Sequence, residues 1–331
     1  MQRRAVHAWV VLATSVLVGT IAAEDDGRTY LWHECEEVIS TPGWLTSNFW
    51  SPSGGRFSYP GVDAPPAQLH FELPHDGEWA VWVRARDETD GTRLATATIN
   101  GQSTYTLGGA NTGQWVWYLL GFAQGSTLDL QLIRIATVAN FDEWLDVLLV
   151  TDDPGFIPPG IEPEGGYAAM RPTDADRQRP AWIWWPADAG IGSVTFYRTV
   201  FEVGEGQNEV TLDLQAIAWC DVYVNDVLVA SIANGDECTG LDVAATCHPG
   251  RNVLGIVATH AAWLPGVRAD LRLGAGDAAR HVVTNAAWRA SQEEAIEWLG
   301  ADFDATAWAH PCARIGERPE VGFWAWEPPE L

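Results

Sequence analysis

One stretch, residues 210–230, constrains the fold more than any other part of the chain. It reads VTLDLQAIAWCDVYVNDVLVA, and apolar and polar residues alternate over 210–214 and again before Asn225. Apolar side chains at every second position are typical of a β-strand that buries one face. Asn225 and Asp226 both tolerate the left-handed backbone of a tight turn. The stretch therefore predicts two strands joined by a hairpin.

The same two-residue period recurs along the rest of the chain. Residues 78–86 (EWAVWVRAR) alternate, and Asn100-Gly101 is a strong hairpin signal after the alternating run 94–100. One short helix is predicted over 291–298, because Ser291 can cap it and Glu294 follows three residues later. Short strands separated by Gly and Asn turns are typical of sandwiches and jelly rolls. The sequence thus predicts an all-β chain.

The chain of 331 residues has room for two domains. Residues 160–179 lie in a stretch rich in Pro, Gly and charge, a composition that predicts a linker. We therefore predict two tandem β-sandwich domains, over 24–159 and 180–331.

Residues 1–23 have the features of a secretory signal peptide. Arg3 and Arg4 precede an apolar run, and Ala22 and Ala23 offer a cleavage site. The run is short for a membrane span, although a retained N-terminal anchor is the alternative. We expect a secreted or cell-surface protein with no membrane insertion after cleavage.

The charge of the chain excludes several classes of partner. The net charge is −25, and removal of Arg3 and Arg4 with the leader takes it to −27. Such a surface repels phosphate backbones and anionic lipid heads. Nucleic acid is therefore not an expected partner, whereas neutral polysaccharides and cations are compatible with this charge.

The five cysteines are an odd number, so at least one thiol stays unpaired in a monomer. Cys238 and Cys247 flank a polar loop and are the best candidates for a disulfide, which export would permit. No Cys or His spacing suggests zinc.

The 19 tryptophans are the strongest compositional signal for a ligand. A Trp face can stack on a sugar ring, although burial is the more common role of any single Trp. Sugar sites combine an apolar wall with a few polar groups, and turn-rich segments supply both. The candidate carbohydrate-binding residues are Trp44, Asn48, Trp50, Tyr59, Asn111 and Asn140 in the first half, and Trp219 and Trp263 in the second. The alternative is that Trp44 and Trp50 plug one end of the sandwich.

The second half carries a run of motifs in a recognisable order. These are AWIWWP, TFYRTVFEV, AWCDVYVNDVLVA, VVTNAAWRA and FDATAW. They resemble the galactose-binding-like jelly-roll modules of α-L-rhamnosidases and other glycoside hydrolases, with Asp226 in place of the turn glycine and Asn285 in place of an Asp. The resemblance implies the fold, but many such modules are structural.

The first half contains LWHECEEV, GEWAVWVRARD and EWLDVLLVTDDPGFIPP. It is similar to carbohydrate-binding modules of families 6 and 35 and to sandwich domains of polysaccharide lyases. The resemblance implies a structural calcium ion held by Glu34, Glu36 and Asp146. On a strand, Glu34 and Glu36 would point to the same side, and calcium prefers several oxygen ligands. The alternative is that they are solvated surface acids.

We therefore expect a non-catalytic carbohydrate-binding protein whose partner is a polysaccharide or glycan, with a separate glycan-degrading enzyme as a further candidate partner. No Gly-x-Ser-x-Gly, His-Glu-x-x-His or phosphate-binding loop occurs. The 44 acidic residues make chance carboxylate pairs too common to be informative. Two alternatives stay open: a glycoside hydrolase or polysaccharide lyase, and a structural or protein-interaction protein of the cell envelope.

Overall fold

The computed structural model describes residues 27–49, 52–61, 63–86, 95–107, 113–134, 144–160, 166–167, 170, 172–173, 177–185, 191–260 and 266–315. The predicted signal peptide lies outside these ranges. Within them the chain is all-β, as predicted, with a single four-residue α-helix. No helix in the described part is long and apolar enough to cross a membrane.

Eight strands and the helix form the first half. In chain order they are β1 (Tyr30–Glu34), α1 (Cys35–Val38), β2 (Trp44–Ser47), β3 (Phe57–Pro60), β4 (Ala67–Arg86), β5 (Ala95–Ile99), β6 (Gln102–Leu107), β7 (Trp115–Arg134) and β8 (Leu145–Thr151).

Ten strands follow in the second half. They are β9 (Trp182–Trp184), β10 (Val194–Val203), β11 (Val210–Val224), β12 (Val227–Ile232), β13 (Glu237–Asp242), β14 (Gly250–His260), β15 (Gly266–Leu273), β16 (Arg280–Val283), β17 (Arg289–Ser291) and β18 (Cys312–Ile315).

The first half is organised around the long antiparallel pair β4–β7. β8 lies between β1 and β4 and is buried throughout, because its residues are almost all apolar. β3 connects β2 to β8 through the pair Ser58–Leu145. The helix α1 follows β1 directly.

Both predicted hairpins are confirmed. β5 and β6 join at Asn100 and Gly101, with φ of 49° and 74°. β11 and β12 join at Asn225, with φ of 57°. Asn and Gly occupy these positions because left-handed backbone is strained for most other residues.

β11 connects the two sheets of the second half. Its residues 210–217 pair with β15, and its residues 218–224 pair with β14. β14 also pairs with β10 along its whole length. The alternating apolar residues of β11 therefore form part of the core throughout the strand.

The two halves share a hydrophobic core. One cluster of buried residues extends from Trp82 and Trp117 in the first half to Ile183 and Leu271 in the second. β18 pairs with β7 on one side and β9 on the other, so it joins the two halves through backbone hydrogen bonds.

The segment predicted as a linker takes part in this core. Tyr167 is fully buried and lies within ring-contact distance of Trp32 and Trp117. Arg177 donates to Asp153 at 2.6 Å, and Asp153 also accepts from Tyr30. Tyr167 and Arg177 of the segment 160–179 therefore pack against the first half.

The predicted helix at 291–298 does not form. Ser291 ends β17, and its hydroxyl accepts from the backbone N–H of Glu293 in a local turn. Glu297 has a φ of 61°, which an α-helix cannot contain. The Ser291 hydrogen bond is of the kind that an N-cap makes, yet no helix follows it.

Candidate functional site

An exposed patch lies at the end of β2 and beside β3. Leu45 is directly opposite Tyr59 across the two strands, so both side chains point to the same face. Asn48 and Phe49 follow β2 directly, and Asn48 is exposed. Phe49 is 69% exposed and Leu45 is 49% exposed. We call these four residues the β2–β3 patch.

The patch rests on a group of aromatic rings. Phe57, two residues before Tyr59, is buried, and their ring centroids are 5.8 Å apart. Phe57 also contacts Trp115 and Trp144, with centroids 5.7 and 4.8 Å away. These contacts connect Tyr59 to the interior of the first half.

Trp44 lies on the opposite face of β2 from Leu45 and Tyr59. It packs against the hydrophobic core of the first half, and its Nε1 donates to the carbonyl oxygen of Pro65 at 2.9 Å. The structure therefore separates Trp44 from Tyr59, because successive residues of a strand point to opposite faces.

Trp219, another predicted sugar-binding residue, lies in the second half. Trp219 is half-buried within β11, opposite Thr259 of β14. Trp50, Asn111, Asn140 and Trp263 lie outside the described residues.

Phe49 and Leu45 were not predicted from the sequence. The available signal was their place in WLTSNFW, where Leu45 alternates with Trp44 on a short strand and Phe49 lies just beyond its end. The prediction chose Trp44 because of the size of its ring, although its neighbour Leu45 is the more exposed of the two.

An acidic cluster forms around the turn at Ser53–Gly55. The hydroxyl of Ser53 donates to Glu34 at 3.2 Å, and its backbone N–H donates to Asp146 at the same distance. A Cβ added to Gly54 would lie 3.3 Å from the Glu34 carboxyl carbon, so the turn closes directly over that group. The cluster is thus assembled from three separate parts of the first half.

Glu36 joins this cluster in a different way from that predicted. Glu34 ends β1, whereas Glu36 lies in α1, so the two are not on one strand. Burial raises the pKa of the Cys35 thiol, and the charges of Asp146, Glu36 and Glu34 raise it further. The charges of all three predicted acids therefore act on the Cys35 thiol.

Arg84 supplies the positive charge next to these acids. Its guanidinium makes an ion pair with Asp146, whose side chain is 0% exposed against 8% for Arg84. The guanidinium carbon lies 5.6 Å from the ring centre of Trp115 and 5.3 Å from that of Tyr167. Burial raises the pKa of Asp146 to about 7, while the Arg84 charge opposes that rise.

Two carboxylate oxygens of the cluster, Oδ1 of Asp146 and Oε2 of Glu36, are buried without a hydrogen-bond partner, so they are open to the calcium ion that the resemblance implies. One oxygen of Asp146 is occupied by Arg84 and Ser53, and one of Glu34 by Ser53. Among the residues that the structure describes, no group of three or more His, Cys, Asp or Glu side chains is placed to hold a metal ion. The calcium ion stays a prediction from the resemblance.

The predicted disulfide between Cys238 and Cys247 is not formed in this structure, which has five free thiols. Cys238 lies on β13 opposite Leu214 of β11. The Cys247 thiol donates instead to the carbonyl oxygen of Val243 at 3.5 Å. Both side chains are half-buried against the shared core.

A cavity of about 680 Å³ opens on the second half, at the β11–β12 turn. Its walls include Asp226, His248, Glu294, Ile296 and Trp298. Ile296 is 91% exposed, whereas Trp298 is 5% exposed and packs against the sheet. The cavity has the size of a small-ligand site.

The chain matches no protein-family model and no curated protein. It is similar to the solved structure of the Pleurotus ostreatus lectin in its apo form, at 20% identity and a TM-score of 0.34, covering 84% of this chain and 91% of that one. It is also similar to the native α-L-rhamnosidase of Aspergillus terreus, at 11% identity and a TM-score of 0.38, covering 86% of this chain and 34% of that one. A third similar structure is the tandem CBM22 domain of Paenibacillus barcinonensis Xyn10C, at 11% identity and a TM-score of 0.25, covering 72% and 96%. Likenesses this distant assign no ligand.

Proposed function

We propose that this chain is a secreted, non-catalytic carbohydrate-binding protein and that the β2–β3 patch contacts the sugar. The observation that carries the proposal is the exposure of two apolar side chains in one short segment, Phe49 at 69% and Leu45 at 49%. Stacking on a pyranose ring would remove this apolar surface from water.

Polar groups at the patch would orient the sugar. Asn48 is exposed between Ser47 and Phe49, and its amide offers both donors and an acceptor to sugar hydroxyls. Tyr59 presents a half-buried ring with a phenolic hydroxyl. An apolar wall with a few polar groups is the usual composition of a small-ligand site.

A glycan array tests the proposal, followed by titration of the bound glycan against Phe49→Ala and Ile296→Ala. Phe49→Ala should weaken binding about tenfold or more, which corresponds to about 1.4 kcal/mol. Its melting temperature should stay that of the wild type, because Phe49 is exposed. Ile296→Ala removes another exposed apolar side chain, which lies at the cavity, and is the matched control.

Two results would contradict the proposal. Phe49→Ala with wild-type affinity and Ile296→Ala with weakened affinity would move the sugar site to the second half. A folded chain that binds no glycan would favour the structural or protein-interaction alternative.

The second candidate function is glycan degradation, and the cavity of the second half is the observation that favours it. Asp226 and Glu294 contribute carboxylates there beside His248, and glycoside hydrolysis requires two carboxyl groups across the sugar. Release of reducing sugar or of an unsaturated product, lost in Glu294→Gln, would support this candidate over binding alone.

A further inference from the structure

Three carboxylates meet in the wall of the cavity on the second half. Asp226 belongs to the β11–β12 turn, and Glu294 and Glu297 belong to the segment after β17. Among the residues that the structure describes, the lining holds no lysine or arginine, and Arg251 pairs with Asp302 instead, at 3.8 Å. Like charges around a concave surface concentrate a negative potential inside it. The cavity should therefore attract a cation.

Apolar side chains lie beside these carboxylates. Ile296 is part of the lining and is 91% exposed. The first two residues of β12, Val227 and Leu228, are 45% and 52% exposed. Leu228 is opposite Tyr223 of β11, whose ring centre lies 6.4 Å from that of Trp298 in the lining. A ligand that removes this apolar surface from water gains free energy, so the cation should carry an apolar part.

The lining is held in place by contacts beneath it. The side-chain amide of Asn225 donates to Oδ1 of Asn252 at 3.1 Å. Asn252 is fully buried, and the same oxygen accepts from the backbone N–H of His248 at 3.0 Å. Trp298 is 5% exposed, and its ring centre lies 5.6 Å from that of Phe196 on β10. A ligand therefore does not have to order the site first, which removes one cost of binding.

We propose that this cavity binds a primary ammonium group carried on a short apolar chain. The three carboxylates are acceptors for the three N–H groups of an ammonium ion. The cavity of about 680 Å³ has room for a chain of about four or five carbon atoms against Ile296. A free alkylamine and the lysine side chain of a partner protein both present this chemistry. The proposal does not depend on the proposed sugar site.

Isothermal titration calorimetry of the full chain with pentylammonium chloride tests the proposal, and 1-pentanol is the matched neutral probe. In about 0.15 M NaCl, which screens general attraction to the acidic surface, we expect pentylammonium to bind with a Kd of about 1 mM. 1-Pentanol should bind about tenfold more weakly or less, because it lacks the charged hydrogen bonds. Equal affinity for the two probes, or no heat from pentylammonium at about 20 mM, would overturn the proposal.

Variants of the lining locate the bound probe. Glu297→Gln should weaken pentylammonium binding about threefold, and the double variant with Glu294→Gln about tenfold, because each change removes one charge but keeps the side-chain volume. Asp63→Asn is the matched control, since it removes an exposed carboxylate from the first half. All three variants should melt like the wild type. If Asp63→Asn weakens binding as much as Glu297→Gln, the attraction is to the general charge of the chain and the proposal is wrong.

Nα-acetyl-lysine amide distinguishes the two sources of the ammonium group. It carries the lysine side chain between two neutral amides, so its charge equals that of pentylammonium. Affinity equal to that of pentylammonium, and lost in the double variant, would assign the cavity to a lysine of a partner protein. Affinity about tenfold lower, with pentylammonium binding retained, would assign it to a free alkylamine.

Discussion

Residues 294–301 line the cavity and are called the cavity loop. Gly255 provides a direct test of how this loop is attached to the sheet of the second half. It lies in the middle of β14, opposite Arg198 of β10 and Tyr223 of β11. A Cβ built at Gly255 would be 2.3 Å from Leu299 and 2.8 Å from Trp298. Carbon atoms in contact are normally about 3.5–4.0 Å apart, so Gly255→Ala requires displacements of about 1 Å.

The cost depends on which side chain yields. Leu299 meets the new methyl with the end of a flexible chain, whereas Trp298 is 5% exposed and its ring centre lies 5.9 Å from that of Trp308. The loop is further held by Arg198, which donates to the carbonyl oxygen of Gly300 at 3.0 Å. Overpacking of this kind costs about 1–3 kcal/mol, and we expect about 2 kcal/mol here.

Urea unfolding followed by tryptophan fluorescence measures this loss of stability. Gly204→Ala is the matched control, because its added Cβ would meet only Gln207 at an ordinary 3.8 Å. The control should be neutral or more stable by about 0.4–1 kcal/mol. If Gly255→Ala matches the control within about 0.5 kcal/mol, the loop is not docked on β14 as described.

Three other features of the fold give shorter tests. Burial lowers the pKa of His260 to about 4. Below about pH 6.5 the unfolded chain therefore binds a proton at this residue that the folded chain does not. The free energy of unfolding should fall from there towards pH 4, by up to about 3 kcal/mol from this residue. The slope of unfolding free energy against pH should be smaller in His260→Gln, and an unchanged slope would contradict the assignment. Thiol titration in denaturant without reductant should detect all five cysteines, whereas a Cys238–Cys247 disulfide would leave three. Calorimetry should record one unfolding transition for the whole chain, because the core is shared, and two separated transitions would refute that coupling.

Local patterns predicted the strands and turns well because their causes are local. The alternation over 210–214 specifies a half-buried strand, and Asn100-Gly101 has backbone freedom that few other pairs have. The run 78–86 also forms a strand, although residues 79–85 are buried on both of its faces. The helix predicted at 291–298 does not form, and the left-handed backbone of Glu297 is incompatible with one.

The candidate sites depended on contacts that no local pattern contains. Arg84 and Asp146 are 62 residues apart, and their pairing follows from the registers of β4 and β8. Glu36 left the predicted strand because the chain turns into α1 directly after Glu34. Trp44 faces the core and Leu45 faces solvent, an orientation that a register shift of one residue would reverse. The sequence predicted the residue types of a sugar site, but it did not predict which face of the strand each residue occupies.

The boundary between the halves shows the same dependence on distant contacts. The composition of 160–179 is that of a linker, yet Tyr167 lies within ring-contact distance of Trp32 and Trp117, two residues of the first half that only its folded strands bring together. β18 completes this arrangement, because it takes backbone hydrogen bonds from β7 and from β9. A segment polar enough to read as a linker can therefore be structural when its few aromatic residues are the ones that are buried. The β2–β3 patch and the cavity then belong to one unit that unfolds cooperatively. A ligand bound at either place would therefore stabilise both halves together.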